Sequence, residues 1–307
     1  MRKVIGIGET ILDIIFRNEQ PVAAVPGGST FNGVISLGRC GVPVSMITEI
    51  GNDHVGNNII NFMKENGVGT EYVSVYPEGK SPISLAFLDE NNDANYSFYK
   101  DYNKNNFELV LPEINPDDIV MFGSYFVINP VLRPKTLQFL QYAHERGAIL
   151  YYDINYRANH KDEFVRLQSS ILENMEMCSV FRGSADDFDV MYGMHDADRL
   201  FDEKLKFHVP CFICTNAGKS VSLRTANFSG EYDVKQVETV STIGAGDNFN
   251  AGFVYGLIKY DVCKDDLQNL SAEQWQKLIE CATDFSAEVC QSVNNSVSKE
   301  FGASRRL

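Results

Sequence analysis

The feature that most narrows the folds open to this chain is an alternation that begins at Ile119. A short apolar run, Ile119 to Phe122, is followed by a helical pattern from Val131 to Arg146 and then by a second apolar run, Ala148 to Tyr152. Pro130 stands near the start of the helical stretch and Gly147 just past its end, as expected of a helix bounded at both ends. Strands alternating with helices in this way predict a parallel sheet with helices on both faces. Val4 to Ile7, Val44 to Thr48 and Cys211 to Cys214 read as further buried strands, and Phe31, Val34 and Ile35 carry the apolar face of an early helix. Open sheets of this kind bind ligands beyond the carboxyl ends of their strands, so the loops after these runs are where function is sought.

One stretch, Ser241 to Phe253, carries the most chemistry. Gly244 and Gly246 flank the small Ala245, so the backbone N–H groups of Gly244 to Asp247 can face a ligand without side chains in the way. Phe249, Phe253, Leu257 and Ile258 recur at helical spacing. Residues 244 to 247 would then form a helical first turn whose unpaired N–H groups and positive dipole end attract an anion. Asp247 would stay ionised there. A carboxylate beside an anion cradle repels what the cradle attracts, but in a phosphotransferase it can orient the attacking hydroxyl and accept its proton. The alternative is a glycine-rich turn with Asp in a helical first turn.

Other candidates are scattered along the chain. Asp13 lies in the apolar run Ile11 to Phe16, where a carboxylate is costly unless it is paired or meets a ligand hydroxyl; otherwise it is a turn or edge residue. Pro26 to Thr30 reads as a turn with a helix cap, with Asn32 in the first turn of the helix that follows. Gly51 to Gly56 opens another helix, closed by Gly67. Between Glu71 and Phe107, the stretches Tyr72 to Tyr76, Ile83 to Leu88 and Tyr96 to Tyr99, around a turn at Glu90 to Asp93, suggest a small antiparallel β element. Arg157 follows a strand, where its fork suits phosphate or a sugar carboxylate, or else a surface salt bridge. Lys219 meets a phosphate or solvent. Ser271 with Gln274 forms a capping box for a last long helix with Trp275, Leu278, Cys281, Ala282 and Phe285 on its inner side.

These motifs resemble the ribokinase-like (PfkB-type) carbohydrate kinases, near the fructokinase and 2-keto-3-deoxygluconate kinase members. The C-terminal signature Thr242-Ile243-Gly244-Ala245-Gly246-Asp247, an aromatic, then Ala251-Gly252-Phe253 matches, as do the Gly27-Gly28 pair, Asn32 and the downstream Gly51-x-Asp53-x-x-Gly56. The resemblance implies a three-layer α/β/α fold with a mostly parallel central sheet and a small β-sheet lid. It implies one kinase domain over residues 1–307, with the lid formed by about 14–26 and 71–107. By the same resemblance Asp247, Gly244, Ala245 and Gly246 are catalytic, and Asp13, Gly28, Asn32 and Arg157 bind the sugar. Arg157 is carried over through Asp153-x-Asn155-x-Arg157. Ser184, Asp187, Thr215, Gly218, Thr242, Gly244 and Gly246 bind ATP. Asp187 is placed near magnesium through water, at a motif that is Asn-x-x-Glu in the family and Ser184-x-x-Asp187 here. Ala217 and Ser220 replace glycines of the family's nucleotide loop, and the last long helix walls the adenine pocket. Ser241 replaces an Asp associated with a monovalent-cation site, which puts potassium activation in question. A homodimer through the lid is implied.

Bulk properties fit that expectation. The net charge of −14 disfavours nucleic acid and anionic membranes as partners, and no apolar run is long enough to span a bilayer. With seven scattered cysteines and no signal-like start, a cytoplasmic protein with reduced thiols is expected. Cys211 and Cys214, three apart in a strand, point to opposite faces and read as core. The expected reaction is ATP-dependent phosphorylation of a sugar hydroxyl, fructose first, then 2-keto-3-deoxygluconate or ribose. Two other readings stay open: a catalytically weak sugar or nucleotide sensor on the same fold, and a dehydrogenase built on Gly6-x-Gly8, where Ile11 replaces the third glycine of the dinucleotide fingerprint.

Overall fold

The computed structural model describes residues 2–88, 94–100 and 107–307. From the N-terminus the chain forms β1 (Val4–Ile7), β2 (Ile11–Arg17), β3 (Gln20–Gly27), α1 (Ser29–Arg39), β4 (Val44–Gly51) and α2 (His54–Glu65). Four strands follow, β5 (Val68–Gly69), β6 (Val73–Tyr76), β7 (Ile83–Leu88) and β8 (Ala94–Tyr99). The alternating half comprises β9 (Ile119–Gly123), α3 (Ser124–Ile128), α4 (Arg133–Glu145), β10 (Ile149–Asp153), α5 (Phe164–Met177), β11 (Val180–Ser184), α6 (Ala185–Tyr192) and α7 (Ala197–Leu200). Then come β12 (Cys211–Asn216), β13 (Ser220–Thr225), β14 (Ser229–Asp233), α8 (Ala245–Lys259), α9 (Ala272–Cys290) and α10 (Lys299–Ser304).

The central sheet runs β14-β13-β12-β11-β10-β9-β1-β4-β5, with β6 also paired to β4. Every pairing from β12 to β5 is parallel, and the hairpins β12–β13 and β13–β14 add an antiparallel edge. Strands β1, β9 and β10 are buried throughout, which is why they read as unbroken apolar runs. One face packs against α1, α2, α8 and α9 through Phe31, Val34, Met63, Phe253 and Leu278. The other packs against α3 to α7 through Phe126, Phe139, Leu167, Phe188 and Leu200. Cys211 lies in the first core and Cys214 in the second, on opposite faces of β12. The chain moves outward from β1 to β4 and then returns to place β9 on the other flank of β1. The direction of winding therefore switches between β1 and β9, the position where such sheets open a crevice.

A separate four-stranded sheet, β3-β2-β7-β8, stands apart from the central one. Its membership differs from expectation. Tyr72 to Tyr76 does not join it: β6 extends the central sheet, pairing parallel to β4 from Thr48↔Val73 to Gly51↔Tyr76. Nor is it purely antiparallel. β2 and β7 run parallel because the long excursion through α1, β4 and α2 joins them, a connection no hairpin could replace. The turn expected at Glu90 to Asp93 lies outside the described residues.

Smaller differences have local causes. The helix expected from Val131 begins at Arg133, with Pro134 in its first turn, and a short helix, α3, which the sequence reading did not include, precedes it. Pro26 and Gly27 end strand β3 and do not form a turn. The cap of α1 is Gly28, at φ 134°, without a side-chain cap bond, and the Ser29 hydroxyl instead meets that of Ser124 at 2.7 Å. Asp53 caps α2, and its carboxylate also accepts bonds from the Ser81 N–H and hydroxyl, fastening the entry to β7. The capping box at Ser271 and Gln274 forms as expected. No described helix is long and apolar enough to cross a membrane.

Candidate active site

Helix α8 begins at Ala245, capped by Gly244 in the left-handed conformation at φ 77°, where an added Cβ would meet the Asn295 carbonyl at 2.8 Å. Only glycine fits. The Ala245 N–H turns back to the Thr242 carbonyl at 3.2 Å, so of the amides expected to face a ligand this one is already used. Those of Gly246 and Asp247 have no protein acceptor among the described residues, as first-turn amides characteristically do not. They form a donor pair at a positive helix end, suited to a phosphoryl oxygen.

Asp247 accepts a hydrogen bond from the Asn32 amide at 2.8 Å. Helix α1 can bring Asn32 this close because Gly33 lets it lie against α8, where a Cβ would sit 3.1 Å from the Asp247 carbonyl. Part of the Asp247 surface stays open, but its carboxyl group lies in densely packed protein. That burial raises its pKa to about 7, with the Asn32 bond opposing, Asp153 adding to the rise, and Arg157 and Arg182 lowering it. The expectation of a permanently ionised Asp247 is corrected here, because burial outweighs the helix end and leaves it divided between its two forms at neutral pH. Asn32 Oδ1 is buried without a partner.

Of the sugar-side candidates, Asp13 comes from the small sheet, Gly28 and Asn32 from the start of α1, and Arg157 from the segment after β10. Asp13, on β2, accepts from the Ser84 hydroxyl on β7. Burial lifts its pKa to about 6, the Ser84 bond and Lys100 working against this and Glu9 with it. A Cβ on Gly27 would lie 2.5 Å from Asp13 Oδ2 and 3.3 Å from Asn295 Nδ2. Asn295 therefore links the two halves, its amide near Asp13 and its carbonyl against Gly244. Gly28 is obligatory: a Cβ there would overlap the Glu9 carbonyl at 2.2 Å. Glu9 is bridged by Lys100 at 2.5 Å, and Glu49 lies buried with both carboxylate oxygens unpartnered. Arg157 is exposed, forms no ion pair among the described residues, and is close enough to influence Asp247.

Several of the nucleotide-side candidates make hydrogen bonds within the protein. Ser184 and Asp187 form the capping box of α6: the Ser184 hydroxyl accepts from the Asp187 N–H, and Asp187 Oδ2 accepts from the Ser184 N–H and hydroxyl at 2.7 Å each. The Thr215 hydroxyl accepts a 2.6 Å bond from Arg182 Nη2. Thr242 is exposed at the mouth of the cradle, and the Ser241 hydroxyl accepts from the Ile243 N–H. Gly218 sits with Lys219 in the exposed turn joining β12 to β13, nothing lies within 4 Å of an added Cβ, and the left-handed residue of that turn is Ala217 at φ 45°. The local conformation therefore does not demand glycine at 218. Gly6 and Gly8 are explained by packing, since a Cβ would meet Val34 at 2.5 Å or Thr30 at 2.8 Å. They admit α1 to β1 and leave no pyrophosphate approach, which removes the dehydrogenase reading.

Sequence reasoning missed residues whose significance comes only from distant partners. Arg182 is 6% exposed and pairs with Asp153 at 3.0 Å; Asp153 also accepts from Asn250 at 2.7 Å, and Asn250 accepts from the Tyr151 hydroxyl at 2.9 Å. Ser124 and Asn155, both at positive φ just after β9 and β10, are joined by a 2.8 Å bond. Backbone strain of this kind gathers at ligand sites, and a positive φ is not visible in sequence.

Comparison with known proteins bears on the family and the fold. A sequence profile described as pfkB family carbohydrate kinase matches residues 1–300. The chain is 28% identical over 252 residues, 76% of this chain and 72% of the relative, to a 5-dehydro-2-deoxygluconokinase of Geobacillus thermodenitrificans. It is 24% identical over 262 residues, 80% of this chain and 79% of the relative, to a probable fructokinase-4 of Arabidopsis thaliana. Its fold is that of the fructokinase of Vibrio cholerae O395, solved with fructose, ADP and calcium ion, at a TM-score of 0.84 and 18% identity, covering 97% of this chain and 96% of that one.

Proposed function

The chain belongs to the pfkB family of carbohydrate kinases, and from that premise we propose that Asp247 is the base by which it phosphorylates a sugar hydroxyl with ATP. The observation that carries this reading is the Asn32–Asp247 hydrogen bond beside the two open amides of Gly246 and Asp247. A hydroxyl oxygen attacks the γ-phosphorus while Asp247 accepts its proton. The new O–P bond forms as the bond to the β-phosphate oxygen breaks, and ADP departs with that electron pair. The Gly246 and Asp247 amides bond the transferring phosphoryl oxygens, and a pKa near 7 suits a base working at neutral pH. Asp13, Gly28, Asn32 and Arg157 position the sugar, with Asn295 added from the geometry above.

ATP lies toward Thr242, Thr215 and Ser184. A divalent cation bound with ATP neutralises charge on the phosphates; we take it to be magnesium. Such an ion keeps most of its waters and needs few protein ligands, and Asp187 is the residue that would hold it, through water. Asp187 Oδ2 is occupied by its capping box, so only Oδ1 remains for such a water. Ser241 offers a hydroxyl where a carboxylate would bind potassium, so turnover in potassium and sodium salts should be equal. The small sheet serves as the lid, and the exposed Val22 and Tyr99 on it suit pairing with a second copy.

Fructose is the first substrate, with 2-keto-3-deoxygluconate, its 5-dehydro-2-deoxy relative and ribose next. Glu9, Asp13 and Glu49 favour a neutral polyol on the Asp13 side. ADP release measured across these sugars tests the reading, and ADP release that no sugar stimulates would overturn it in favour of a binding protein.

A further inference from the structure

Resting on the kinase reading above, we propose that Arg182 is a positioning residue of the transfer step, set behind the amide cradle so that its fixed charge and its ties to Asp153 and Thr215 hold Gly246 and Asp247 ready for reaction. A Cβ on Gly246 would lie 3.1 Å from both Nη1 and Nη2 and 3.5 Å from Cζ. The guanidinium is therefore packed against the Cα of the cradle, and the glycine is needed as much to admit this cation as to admit a ligand.

The rest of its environment fixes it there. Nη1 donates to Asp153 on β10 at 3.0 Å, Nη2 donates to Thr215 on β12 at 2.6 Å, and Cζ lies 5.8 Å from the Phe249 ring centre on α8. Asp187 on α6 and Tyr151 on β10 act on it electrostatically. Burial works against its charge, but the Asp153 carboxylate and its hydrogen bond, together with Tyr151 and Asp187, more than offset burial, and the pKa rises. Its Nε is buried without a partner. A hydrocarbon side chain would join β10, β11 and β12 without leaving a donor unpaired, so packing alone does not account for an arginine here.

What the charge does is set by what it faces. Asp247 senses Asp153, Arg157 and Arg182, and the two arginines favour its ionised, proton-accepting form. Arg157 is exposed and screened by solvent, whereas Arg182 is not. Arg182 acts through Gly246 and Asp247 and need not touch substrate.

The test follows the Asp247 carboxyl directly, by 13C NMR titration assigned with Asp247→Asn, alongside kcat/KM against pH. In Arg182→Gln the midpoint should rise, and the acid limb of kcat/KM should rise with it. In Arg182→Lys, which keeps the charge, both should stay near wild type. Should Arg182→Gln fail to fold, Asp153→Asn removes the opposing charge, and the midpoint should fall. An unmoved midpoint in a folded Arg182→Gln or Asp153→Asn variant overturns the proposal, as does a lysine variant that titrates like the glutamine one. If the wild type turns over sugar while the midpoints stay fixed, this proposal fails and the kinase reading stands. If no sugar stimulates ADP release but the midpoints move, the placement of Arg182 behind Asp247 is supported and the kinase reading fails.

Discussion

Asn32 donates its side-chain amide to the Asp247 carboxylate across 2.8 Å, joining residues 215 positions apart in the chain. One comes from α1, which follows β3 of the small sheet, and the other from the first turn of α8. Their contact brings the sugar-side and phosphate-side candidates into one site.

If Asp247 is the base, Asp247→Asn keeps the Asn32 neighbour and the helix turn but cannot accept the proton. Turnover should fall by about 10²- to 10⁴-fold while ADP binding stays within about twofold. Coupled ADP release and calorimetric titration check the two halves, and near-normal turnover would remove Asp247 from this role.

A base whose pKa is about 7 sets the acid limb of kcat/KM near neutrality. The Asn32 bond lowers that pKa, so Asn32→Leu should move the limb to higher pH and also raise KM for the sugar. A limb that stays in place in the variant would mean the bond does not tune the base.

Asp13 reaches the site from the small sheet, held by Ser84, with a pKa of about 6 that leaves it mostly ionised at pH 7.5. Asp13→Ala should raise KM for the sugar by roughly 10- to 100-fold, the worth of a hydrogen bond to a charged group, and leave KM for ATP unchanged. Equal effects on both substrates would argue for a fold defect.

Glu49, buried and unpartnered, has its pKa raised by burial and then by Glu9 to about 7 from an ordinary 4.5. The folded state therefore holds a proton that the unfolded state releases between these values, and this stabilisation is lost as pH rises through 7. Between pH 5.5 and 8 the stability of Glu49→Gln should improve relative to wild type by about 2 kcal/mol. Urea titrations at the two pH values measure it, and a constant difference would show that Glu49 is ionised throughout.

The alternation after Ile119, the Gly244-Ala245-Gly246-Asp247 turn and the capping box at Ser271 could be read from the sequence because each is set by neighbours in the chain. Apolar runs fix which segments are buried, and glycine or a cap fixes where a helix starts. The sheet membership of Tyr72 to Tyr76 could not be read this way, since a short β segment is the same string whether it pairs with β4 or β7. Asp247's pKa depends on how much protein surrounds its carboxyl group. Asp187 lost a carboxylate oxygen to its own helix cap, and Arg182, unremarkable as one residue in a strand, became a buried cation under Gly246. Local sequence determined the pieces and their order, while charge state, pairing and the meeting of Asn32 with Asp247 were decided by packing across distant segments. Electrostatic and steric energies depend on distance in space, which residue spacing along the chain does not record.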